Sequence, residues 1–139
     1  MSEIVSVRVS EEVARRLRER AGAGHETVSG LAQRLVDEGM RMDAHPGIVF
    51  RPGPTGRRAA LMRGPDVWEV VGLIRSLEAS GTEAVTEAAT WLGLDEVQVR
   101  SALGYYGAFP EEVDARIAAN EAAARRAEHE WETQQRLLG

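Results

Sequence analysis

The chain has 139 residues, 43% apolar and 28% charged, with a formal net charge of −5. That is ordinary globular usage, which excludes a fibrous or wholly disordered chain, and the length fits one domain or two very small ones. With no cysteine and three separated histidines (His25, His45, His129), it is expected to hold no disulfide, metal or cofactor.

Met1-Ser2-Glu3-Ile4 shows neither the basic stretch nor the apolar segment of a signal peptide, and apolar runs stay far below the roughly 20 residues of a membrane helix. A soluble, cytoplasmic protein is expected. All basic residues are arginine, which fits a GC-rich, bacterial coding genome. Residues 4–9, Ile-Val-Ser-Val-Arg-Val, alternate with period two. Val5, Val7 and Val9 share one strand face, and Ile4, Ser6 and Arg8 the other. Ser10 caps a helix whose first turn carries Glu11 and Glu12, whose inward residues are Val13, Leu17 and Ala21, and which ends at Gly22-Ala23-Gly24. Thr27 caps a second helix, to about Met42, with Val28, Leu31, Leu35 and Met40 on its apolar face.

A lone strand cannot satisfy its backbone or bury its face, and about 40 residues cannot build a core alone. A homodimer whose two strands pair, with Val5, Val7, Val9, Leu31 and Leu35 as its core, answers both problems. Residues 4–42 resemble a ribbon–helix–helix module of the MetJ/Arc/CopG class. The likeness rests on Val5-Ser6-Val7-Arg8-Val9-Ser10-Glu11-Glu12, Leu17, the glycine turn, and Thr27-Val28-Ser29-Gly30-Leu31. It implies a paired ribbon in the major groove of operator DNA, read by Ile4, Ser6 and Arg8. A two-stranded ribbon fits that groove, and arginine pairs bidentately with guanine. Thr27, Val28 and Ser29, opening the second helix, would offer backbone N–H groups to a phosphate. Ile4 departs from the commoner polar reader, and Gly30 is unusual so early in a helix, costing about 1 kcal/mol against alanine. The plainer reading is a strand and helical hairpin that only dimerise, with Arg15, Arg16, Arg18 and Arg20 a solvated face.

Beyond the loop Asp43–Gly47, Ile48–Arg51 and Arg57–Met62 read as a β-hairpin around Pro52-Gly53-Pro54-Thr55-Gly56. Its glycines do not make a phosphate loop, since no Gly-Lys-Ser/Thr follows. Asp66 opens a helix to about Ala79, and Thr82–Leu92 forms another, ended by Gly93. Asp95 caps a third with Val97, Val99, Ala102, Leu103 and Tyr106 inward. The last pair is compatible with a helix-turn-helix exposing Glu96, Gln98, Arg100 and Ser101, though the acidic surroundings favour a structural role.

His45-Pro46-Gly47-Ile48-Val49-Phe50-Arg51, Gly53–Ala59, Asp66-Val67-Trp68-Glu69-Val70 and Val99–Tyr106 look like a small VapB-type antitoxin-associated domain over about residues 45–125. The resemblance implies a protein toxin as partner, plausibly a PIN-like ribonuclease.

Pro110 to Leu138 reads as one helix with acids in its first turn. Val113, Ile117, Asn120, Ala124, Ala127, Trp131, Gln134 and Leu138 recur at heptad-like spacing. Residues 80–139 hold five Arg against eleven Asp and Glu, so most of the negative charge lies here. Ile117, Asn120, Ala124, Trp131, Leu137 and Leu138 are the candidate partner-binding residues; a solvated tail or a self-associating coiled coil is the alternative.

No Gly-x-Ser-x-Gly and no matched Ser, His and Asp are present, and the acidic pairs open helices, so no enzyme activity is expected. The expected fold is mainly α: a ribbon–helix–helix over 1–43, a hairpin plus three-helix domain over 44–109, and a long helix over 110–139. The expected function is an antitoxin that binds its toxin and represses its own operon. A ribbon–helix–helix regulator without a toxin, or a dimeric interaction protein without DNA, are the other two readings.

Overall fold

Ser10 decides where the first regular element begins. In the computed structural model, which describes residues 1–139, its extended backbone precedes α1 (Glu11–Ala23), and its hydroxyl accepts from the Val13 N–H at 3.2 Å. Gly24 closes α1 by donating to the Arg20 carbonyl at 3.1 Å. The helix ends at Gly24 as expected, and the left-handed residue of the turn is His25 (φ 53°). Thr27 then caps α2 (Val28–Ala44), which runs two residues past the expected end.

The chain divides into two compact units, Met1–Asp43 and Ala44–Gly139. Residues 1–10 of the first carry no regular structure and are all exposed. The strand expected over 4–9 is therefore absent from the single chain, which lays no partner strand beside it. Ala21 and Leu31 are the only apolar side chains this unit buries, alongside Glu38. Of the expected strand core, Val5, Val7 and Val9 are exposed and Leu35 is half-buried.

The second unit begins with an antiparallel hairpin, β1 (Ile48–Arg51) and β2 (Arg58–Leu61), pairing Ile48 with Leu61 and Arg51 with Arg58. The second strand is shorter at both ends than the sequence suggests. Four helices follow: α3 (Val67–Ser76), α4 (Gly81–Leu92), α5 (Glu96–Ala108) and α6 (Pro110–Leu138). The third ends three residues early, because Leu77 turns extended (ψ 146°) and bonds back to Ile74. Gly93 ends α4 in the left-handed region (φ 65°), where glycine has no Cβ penalty.

Val67, Val70 and Val71 of α3, Val85 and Ala88 of α4, and Val99, Ala102 and Tyr105 of α5 form the core with Ile48 and Leu61. Val113 and Ile117 of α6 complete it. The long helix is thus rooted in the second unit, and Ile117, expected to meet a partner, is a core residue. Residues 118–139 are exposed throughout. No helix is long and apolar enough to cross a membrane.

Candidate nucleic-acid interface and partner surface

Ile4, Ser6 and Arg8, the three expected base readers, lie in the exposed N-terminal segment. Val5 and Val7 between them are 80% and 77% exposed, so both faces of the alternation are open to solvent in one chain. Beside this segment in sequence, α1 and α2 form an open groove lined by Val13, Leu17 and Leu35, with Arg16 and Arg20 on its rim. Val36 and Met40 of α2 are exposed as well. Leaving this much aliphatic surface in water costs about 1.5–3 kcal/mol per large side chain relative to burial.

At the start of α2, Thr27 Oγ1 accepts from the Gly30 N–H at 3.0 Å. A Cβ on residue 30 would lie 2.9 Å from that hydroxyl, which explains a glycine so early in a helix. Val28 and Ser29 are exposed, and as first-turn residues their N–H groups find no acceptor within the helix. This end of α2 can therefore receive an anion. On α1, Arg15 pairs with Glu12 at 2.6 Å and Glu19 at 2.9 Å, and Arg16 with Glu12 at 3.6 Å. Those two arginines belong to a neutralised, solvated face. Arg34 reaches Glu26 with one guanidinium nitrogen at 3.1 Å, while its Nη1 is buried without a partner.

The helix-turn-helix-like pair of the second unit is largely occupied with itself. Glu96 accepts from Thr86 Oγ1 at 2.7 Å, and Ser101 Oγ donates to the Val97 carbonyl at 3.0 Å. Gln98 forms a reciprocal capping box with Asp95. Of the four residues such a reader would expose, Arg100 alone makes no bond of this kind.

The hairpin arginines serve the fold. Arg51 donates to the carbonyls of Leu61, Met62 and Gly64 at 2.7–3.0 Å, clamping the turn after β2. Arg58 pairs with Asp66, and Arg116 of α6 reaches the hairpin tip through Thr55 and the Arg57 carbonyl. Sequence reading missed the role of Arg116, since nothing local links positions 61 residues apart. No group of His, Asp and Glu side chains is arranged to hold a metal ion.

Along α6, Asn120, Ala124, Trp131, Leu137 and Leu138 are all exposed, Trp131 by 60%. Ile117 lies in the core, and these five are the exposed members of the expected partner-binding set. Comparison of the chain with protein-family models, curated proteins and solved structures gives no match.

Proposed function

We propose that this chain is a dimeric, DNA-binding antitoxin. Two copies pair residues 4–9 into a ribbon, making a ribbon–helix–helix module that reads operator DNA. The observation that carries the reading is the open apolar face of the first unit: Val5, Val7 and Val9 alternate with Ser6 and Arg8, directly before an α1–α2 groove of Val13, Leu17 and Leu35. Pairing of two such segments buries the valines on the helices, satisfies their backbones, and turns Ile4, Ser6 and Arg8 outward into the major groove. Each α2 N-terminus then holds a phosphate through Val28 and Ser29.

The exposed part of α6 is the toxin-binding arm, and a PIN-like ribonuclease is the partner class that suits it. The arm itself is nearly neutral, four Glu against three Arg over residues 118–139, so its apolar anchors Trp131, Leu137 and Leu138 carry the docking. The protein acts in the bacterial cytoplasm, takes no cofactor and performs no catalysis.

Titration against DNA from immediately upstream of its own gene, at two salt concentrations, tests the first half. Tight, salt-sensitive binding that Arg8→Ala weakens by about 1–3 kcal/mol supports it. Binding no better than to random DNA leaves a dimeric interaction protein in its place. The toxin half is tested by deleting residues 118–139, a cut placed after Ile117 so that the core stays whole. If the shortened chain neutralises the toxin as well as the full one, the arm is not the toxin site.

A further inference from the structure

Beyond its first two turns, α6 is a free-standing helix, and its exposed stripe has a pattern that a toxin does not explain. The stripe residues Asn120, Ala124, Ala127, Trp131, Gln134 and Leu138 keep the alternating three–four spacing of a helix seam. Lay a second copy of this helix antiparallel, with the symmetry axis level with residue 129. Position 120 then faces 138 of the other copy, 124 faces 134, and 127 faces 131. Each layer joins a small residue to a larger one: Asn120 to Leu138, Ala124 to Gln134, Ala127 to Trp131. On the flank, Leu137 falls opposite Ala123. All three large apolar residues of the exposed arm thereby meet an alanine or an asparagine. A parallel pair does the opposite, setting Trp131 on Trp131 and Ala124 on Ala124, so that layers are alternately overfilled and hollow.

We propose that the exposed arms of α6 from two copies of this chain pair antiparallel in that register. The occupant of the arm in the absence of another protein is a second copy, and any partner must displace it. The proposal concerns the same segment to which the functional reading gives a toxin, but it holds whether or not a toxin or an operator is bound. The register also brings Glu128 opposite Glu128 and Glu130 opposite Glu130. Like charges facing one another oppose pairing, so the association is weak and easily exchanged, as a displaceable cover must be.

The absence of cysteine makes the register directly readable in the full chain. Ala124→Cys and Gln134→Cys would be made singly and together and held in a glutathione buffer. Ten helical residues separate the two positions by about 15 Å, too far for a bond within one chain. Antiparallel pairing predicts a covalent dimer from the double variant and none from either single variant. Its loss is expected when Trp131→Ala is added, with helix content by circular dichroism unchanged because Trp131 is exposed. Replacing Glu128 and Glu130 by Gln should raise the yield. Crosslinking of the single variants shows parallel pairing and overturns the proposal, as does a double variant that stays monomeric. Failure to bind DNA or toxin leaves this disulfide pattern untouched, so the two readings fail separately.

Discussion

Asp66 and Arg58 tie the hairpin to α3. The Asp66 Oδ2 lies 2.5 Å from the Arg58 Nε and accepts the Trp68 indole N–H at 3.1 Å. The Asp66 backbone N–H meanwhile donates to Glu69 Oε2 at 2.8 Å, so one residue both starts the helix and holds the strand. Asp66 is buried, and removing it leaves the half-buried Arg58 guanidinium with its bond to the Pro52 carbonyl but without its carboxylate. Asp66→Ala is expected to cost about 2–4 kcal/mol in urea unfolding. Arg58→Ala combined with it should cost much less than the sum of the two single changes, because they share one interaction.

Thr27 and Gly30 form a second coupled pair. The missing Cβ at 30 leaves room for the capping hydroxyl, so Thr27→Ala should lose about 1 kcal/mol in the natural chain. Gly30→Ala gains about 1 kcal/mol of helix propensity but pushes the cap aside, and its net effect should be near zero. In that background Thr27→Ala should cost almost nothing. A full, undiminished cost there would show that the cap survives the added methyl.

The two halves of α6 should respond differently to truncation. Ile117→Ala is expected to cost about 2–4 kcal/mol, since it opens a hole against α3 and α5. Leu138→Ala should leave the unfolding of the second unit unchanged, because the residue is exposed. Equal losses at the two sites would mean that the arm packs on the core.

Acid should loosen the attachment of α6. Arg75 hydrogen-bonds Asp114 and the Tyr106 hydroxyl, and that hydroxyl is 3.0 Å from the same carboxylate. The hydrogen bond from Arg75, aided by Tyr106, holds the Asp114 carboxyl below its ordinary value of 3.8. A carboxylate with a depressed folded value contributes stability that is present above its ordinary value and is lost as pH falls through the folded one. As pH falls below 3.8 the natural chain should therefore lose stability more steeply than Asp114→Asn, which never had this contribution, and its advantage over that variant should shrink. Parallel pH profiles for the two chains would remove Asp114 from the acid response.

The helices, their caps and the hairpin were legible because each is specified locally. Ser10, Asp95 and Pro110 mark helix starts by their own chemistry, Gly93 marks an end, and Pro52-Gly53-Pro54-Thr55-Gly56 can only turn. The alternation of residues 4–9 was legible in the same way, as a demand for a partner strand that a single chain leaves unmet. What the sequence could not reveal were relations across long separations. Arg116 reaching Thr55 and Arg75 reaching Asp114 depend on which surfaces meet. So does the point on α6 where core gives way to solvent. The heptad-like spacing runs unbroken from Val113 to Leu138, and only the extent of α3 and α5 beside it makes Ile117 interior and Asn120 exposed. Periodicity reports which face of a helix is apolar; how much of its length is covered is set by the size of the body it packs against.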